Sequence, residues 1–117
     1  MTSITQLIAN ISHHIPFASE AAAQAYLNQY SLDDQAALIS AAYIGRDHIH
    51  YDKIQPDYVP VDVRFDRFFT TGTPPQYQFV PPSGWASILY EKNTQLRTYH
   101  EAFVRCATGS GYSLAAF

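Results

Sequence analysis

Apolar residues recur at helical spacing through the first part of the chain. Ile4, Leu7, Ile8 and Ile11 fall at i, i+3, i+4 and i+7, and Ser3 with Gln6 forms a capping-box pair, so the spacing predicts a short helix over residues 4–12. His13, His14 and Pro16 end it, because a proline pushes the residue before it out of the helical region, and the two imidazoles suit the negative end of the helix dipole. Ser19 then caps a second helix over about 20–30, in which Ala23, Tyr26, Leu27 and Tyr30 form the buried stripe. Ser31 caps a third, with Asp33 and Asp34 in its positive first turn, Leu32, Ala36, Ile39 and Tyr43 on one face, and Gly45 as the expected stop.

The period changes after residue 45. Six of the seven prolines lie between residues 46 and 84, and Val59, Val61, Val63 and Phe65 alternate with Pro60, Asp62, Arg64 and Asp66. Alternation of this kind predicts an edge strand over 59–66, with a helix over 62–69 as the competing reading because Asp62 can cap one. Thr71 to Pro75 reads as a turn and Tyr77 and Phe79 alternate with Gln76 and Gln78, so a two-stranded hairpin leaning on the helices is expected. From Ser83 onward Trp85, Ile88, Leu89, Leu96, Tyr99, Phe103 and Cys106 or Ala107 trace one stripe of a single long helix, stopped by Gly109-Ser110-Gly111. The apolar tail Tyr112 to Phe117 either docks on the body or lies against a partner. The expected fold is α+β: one predominantly helical domain over 1–117, with three N-terminal helices (1–45) and a long C-terminal helix (85–117 with its tail) packed on a small antiparallel hairpin from the irregular 46–84 region.

Composition narrows the function classes. Only 15% of the 117 residues are charged and 47% are hydrophobic, which sets the chain apart from disordered sequences. A net charge of −3 with no basic run removes the electrostatic footprint of a nucleic-acid binder, and ten acids spread along the chain do not make a nucleic-acid mimic. Cys106 is the single cysteine, which suits a reducing compartment, and no apolar run resembles a secretion signal or membrane span, so the cytoplasm is expected.

One stretch carries candidate chemistry, Arg46-Asp47-His48-Ile49-His50-Tyr51-Asp52. In an extended chain His48, His50 and Asp52 share a face and form two imidazole ligands and a carboxylate for Zn or Fe. If the third helix runs on through Gly45, Asp47, His50 and Tyr51 share a face instead and the metal set falls apart; Arg46 then pairs with Asp47 or Asp52 in a plain polar connection. An imidazole oriented by Asp47 or Asp52 also suits general acid/base work, but no nucleophile accompanies it, and Cys106 with His100 is a poor pair because the thiol sits in a helical stripe. Arg64 and Arg67 beside Asp62 and Asp66 read either as an anion fork or as charges that block edge pairing. GxGxxG, Walker A, GxSxG and HExxH motifs are all absent.

Aromatic residues reach 15%, and interface hot spots favour such side chains, so Tyr51, Tyr58, Tyr77, Phe79 and Trp85 stand as candidate protein-binding anchors. The segment Asp33 to Asp47 is similar to a stretch in a small bacterial protein family of unknown function, whose members share an acidic-Gln start, an apolar helix and a closing aromatic-apolar-Gly-Arg-Gly-Asp signature. Here the glycine of the second Gly-Asp pair is absent and His48 follows Asp47 directly. The resemblance implies a bacterial or phage origin, and the family has no activity to carry over. The expected function is a non-enzymatic inhibitor, immunity factor or adaptor that binds another protein, with homodimerisation through 59–66 or the tail as a further option; the rival is a metal-dependent enzyme or sensor built on His48, His50 and Asp52.

Overall fold

A computed structural model describes all residues from 1 to 117. Its elements are α1 (Ile4–Ser12), α2 (Glu20–Leu27), α3 (Leu32–Arg46), α4 (Trp85–Lys92) and α5 (Gln95–Gly109), with short 3-10 turns at Pro82–Gly84 and Leu114–Ala116. The N-terminal starts follow their caps: the hydroxyls of Ser3, Ser19 and Ser31 accept from the backbone N–H groups of Gln6, Ala22 and Asp34. Each satisfies a donor that the first turn leaves free.

The central element is α3, which packs chiefly on α5 and also against α1, while α2 lies on α4. Helix α3 is buried almost all round, Ala36, Ala37, Leu38, Ile39, Ser40, Ala41, Ala42 and Ile44 included, because small alanines let neighbours approach from every side. Gly45 is part of this packing and not the stop: α3 continues through it to Arg46, with Asp47 as C-cap. A methyl at Gly45 would run into the backbone carbonyl of Tyr99, so a glycine is what allows α3 and α5 to touch.

The α+β expectation is overturned. The chain is all-α: it contains five helices and no strand, so there is no antiparallel hairpin. The alternating valines of 59–66 do not share a face, since Val61 is wholly exposed while Val59 and Phe65 are half-buried against the core. Successive turns satisfy the backbone locally, with Val63 N–H donating to Pro60, Phe69 N–H to Asp66 and Gly72 N–H to Phe68 carbonyls, and Phe68 N–H to the Asp66 carboxylate. Prolines without an N–H at 56, 60, 74, 75, 81 and 82 leave too few donors for a ladder. The helix alternative over 62–69 is absent as well.

The long C-terminal helix is also corrected, because it breaks at Asn93. This residue takes φ +42°, and its side chain clamps the chain before α2: Oδ1 accepts from Phe17 N–H at 2.7 Å and Nδ2 donates to Phe17 carbonyl at 3.2 Å. Asparagine tolerates positive φ better than most residues, so the break frees α4 to follow α2 while α5 follows α3. The tail docks on the body, Phe117 buried 4.8 Å from the Phe103 ring and Tyr112 stacked on Phe65 at 4.3 Å. A radius of gyration of 13.2 Å is that of one packed domain of this length, about 13 Å for 100 residues.

Candidate functional site

The 46–52 segment is shaped by the continuation of α3. Its last turn carries His48 into the core, where Nε2 accepts the N–H of Gln55 at 3.1 Å; the proton therefore sits on Nδ1, which donates to the Ile44 carbonyl at 2.8 Å. Both ring nitrogens thus serve the backbone, and the Tyr58 ring stands edge-on at 4.4 Å. His50 is exposed, and the Asp52 side chain retains 93% of its accessibility, so the structure does not bring His48, His50 and Asp52 together. No group of three or more His, Cys, Asp or Glu side chains is placed to hold a metal ion.

Helix α5 reads the carbonyl groups of the same turn. Arg105 donates from Nε to Tyr51 at 3.0 Å and from Nη2 to Ile49 at 2.9 Å, and the Cys106 thiol donates to Tyr51 carbonyl at 3.0 Å. Burial pushes the Cys106 thiol up in pKa, the opposite of what a nucleophile needs. Carbonyls of the turn that follows α3 are satisfied this way, which makes 46–52 a docking turn between α3 and α5.

The five candidate anchors separate by burial. Tyr77 and Trp85 are core residues, packed edge-to-face at 5.2 Å, with Tyr77 Oη donating to Asp33 at 3.2 Å and Trp85 Nε1 to Val80 carbonyl at 3.1 Å. Tyr58 is half-buried and gives its hydroxyl to Asp47 at 2.8 Å; burial, then Asp47, raise its phenol pKa. Tyr51 and Phe79 face solvent, Phe79 at 67% exposure. In a regular strand Tyr77 and Phe79 would share a face, but Tyr77 takes φ +38°, which breaks that register and parts the two rings. Phe79 and Val63 line one open cavity of about 350 Å³ whose edge carries Asp62, Arg64 and Asp66.

Sequence reasoning missed a second concavity. Between α1 and α5 runs a groove of about 500 Å³, lined by Ile8, Ile11 and Ile15 on one side and Val104 on the other, with His100 in its floor. The signal was the i, i+4 pair His100 and Val104 beside the Leu96–Phe103 stripe, which widens the apolar face of α5. Burial pushes His100 down to about 4, against the opposing hydrogen bond to the Leu38 carbonyl. Because the folded state holds this imidazole below the usual value of about 6.5, the unfolded chain binds the extra proton between the two values. Stability is expected to be full above pH 6.5 and to fall toward pH 4 with a slope approaching about 1.4 kcal/mol per pH unit from this one group. Arg97, Glu101 and Arg105 of α5 are the charged groups that share the groove, and α1 contributes none. Urea titrations of the protein and a His100→Gln variant between pH 4 and 7 isolate the effect: the variant should lack that portion of the slope.

No known protein family matches this chain, and neither a curated protein nor a solved structure does. The fold is five-helix and all-α, and among its surface concavities one, beside Phe79, is amphipathic and another, between α1 and α5, is apolar. No helix is long and apolar enough to cross a membrane. The segment Asp33 to Asp47 is essentially α3 and its C-cap, with Gly45 at the α5 contact and Asp47 holding Tyr58.

Proposed function

We propose that this chain is a non-enzymatic protein-binding factor of inhibitor, immunity or adaptor type, acting through the irregular segment 60–80 with Phe79 as its central anchor. The supporting observation is that a phenylalanine at 67% exposure stands over a cavity shared with Val63. Burial of a ring is favourable by several kcal/mol at most, and large apolar groups left in water beside a charged rim are the usual mark of a contact surface. Phe68 and Phe69 line the same cavity, and Asp62, Arg64 and Asp66 provide the polar rim that fixes orientation. The segment is held in place from beneath by Tyr77, Trp85 and Arg67, so Phe79 is presented on a supported loop.

The partner is another protein. We place the pair in the cytoplasm of a bacterium or phage host, on the single reduced Cys106 and the resemblance of Asp33 to Asp47. Dimerisation through an edge strand at 59–66 drops out with the strand itself, and the tail is folded against its own body. A photo-reactive phenylalanine analogue at position 79, expressed in the native host, should cross-link one specific protein. Phe79→Ala should weaken that complex by about 2 kcal/mol or more while changing stability by no more than about 0.5 kcal/mol. Full affinity in Phe79→Ala would sink the assignment. Tyr77→Ala is no substitute, since it removes a buried ring and tests folding instead.

A further inference from the structure

The groove between α1 and α5 differs in kind from the Phe79 surface. Its walls are aliphatic, its volume of about 500 Å³ falls in the ligand-sized range of about 300–1,000 Å³, and its floor holds a histidine that is 1% exposed. Of the two His100 ring nitrogens, Nε2 donates to the Leu38 carbonyl at 3.2 Å, which leaves Nδ1 as an acceptor, and no group of the chain donates to it. The residue is 1% exposed, and the groove is the one concavity that it lines.

The other polar groups around the groove are already committed. Arg97 Nη2 donates to the carbonyls of Ser12 and Ile15, both at 2.8 Å, Arg105 serves the 48–51 turn, and Ser12 gives its hydroxyl to Ala9. Glu101 stands one helical turn from each arginine and offsets part of their charge. An occupant that is apolar throughout would leave Nδ1 a buried acceptor without a donor, whereas a hydroxyl would pair it.

We propose that the α1–α5 groove is a binding site for a neutral, mainly apolar small molecule carrying one hydroxyl, which it donates to Nδ1 of His100 while Ile8, Ile11, Ile15 and Val104 enclose the hydrocarbon. At neutral pH the imidazole is uncharged and keeps its lone pair, since burial holds its pKa at about 4.

The pair 2-naphthol and 2-methoxynaphthalene tests this, being alike in ring surface and differing in the donor. Titrated into protein with labelled isoleucine methyls and ring nitrogens, 2-naphthol should move the Ile8, Ile11 and Ile15 methyls saturably and bind at least tenfold more tightly than the ether. His100→Phe should bring the two affinities to within about twofold. Absence of saturable shifts up to the solubility limit, or equal binding of both compounds to the unaltered protein, overturns the proposal. If His100→Phe does not fold, the Nδ1 resonance of the unaltered protein decides: displacement by 2-naphthol and not by the ether supports the site, and an unmoved resonance overturns it. Phe79→Ala should bind 2-naphthol normally, so failure of one surface is distinguishable from failure of the other.

Discussion

Arg67→Met is expected to destabilise the protein by about 3–5 kcal/mol, as the loss of one partner of a buried ion pair does. The guanidinium is 4% exposed at the side chain and gives Nη1 to Asp34 at 2.8 Å, Nη2 to the Thr2 carbonyl at 3.0 Å and Nε to the Phe117 carbonyl at 2.8 Å. Thr2 N–H closes the set by donating to the same Asp34 oxygen at 3.0 Å. One side chain from the irregular segment thus ties together the start of α3, the residues ahead of α1 and the tail. Methionine fills much of the volume but leaves the Asp34 carboxylate buried without its cation. Urea unfolding measures the loss, and Asp34→Asn in the Arg67→Met background should recover part of it by removing the stranded charge. The effect also has a pH signature. Burial pushes the Asp34 pKa up, but the bond from Arg67 outweighs it with help from Thr2, and the net shift is downward. The pair's contribution is therefore complete above the ordinary carboxylate pKa of about 3.9 and is lost as pH falls through the lowered folded value. In Arg67→Met burial is opposed by the Thr2 bond without the guanidinium, so the gap between variant and parent should narrow as the solution is acidified. A cost below about 1 kcal/mol at pH 7 would show the tie to be idle.

Gly45→Ala should cost about 3 kcal/mol or more, although alanine is the better helix former by about 1 kcal/mol. The added methyl would overlap the Tyr99 backbone carbonyl, with the Phe103 N–H 3.1 Å away, and backbone of a packed helix cannot rotate aside as a side chain can. Helices α3 and α5 form the largest contact in the fold, so the separation is felt by Ile44, Phe103 and Cys106 together. Circular dichroism should show helical content retained, with the melting temperature lowered by roughly ten degrees. A variant as stable as the parent would mean that α5 shifts without cost.

The two concavities place different demands on the same scaffold. Phe79 is presented by a segment that Arg67 and Trp85 hold from below, whereas the groove lies between α1 and α5, where Arg97 donates to the Ser12 and Ile15 carbonyls. Weakening the Arg67 tie should therefore loosen the Phe79 face first, because few regular hydrogen bonds support that segment.

The three N-terminal helices were legible in the sequence to within a few residues because their signals are local. A serine hydroxyl within reach of an N–H three residues on, and apolar residues one turn apart, act whatever the rest of the chain does. His48, His50 and Asp52 show the limit of such reading. Their common face existed only on an extended chain; the continuation of α3 through Gly45 placed His48 inside and the other two outside, and that continuation was settled by the close approach of Tyr99 from 54 residues away.

Similar reasoning separates the remaining elements. Alternating valines at 59–66 carry the period of a strand, but a strand needs a neighbour to pair with, and prolines withheld the donors on both sides. Asn93 falls within the expected single long helix, outside its apolar stripe, and the break shows only once its amide meets the Phe17 backbone. Composition, caps and helical stripes by themselves determined that this chain is mostly helical and where its first three helices begin. Tertiary structure alone decided that Tyr77 turns inward while Phe79 stays out, that Arg67 is a buried tie, and that His100 keeps a free nitrogen over an apolar groove. Each of these depends on which distant backbone atom arrives beside a side chain, and residue spacing along the chain does not encode that.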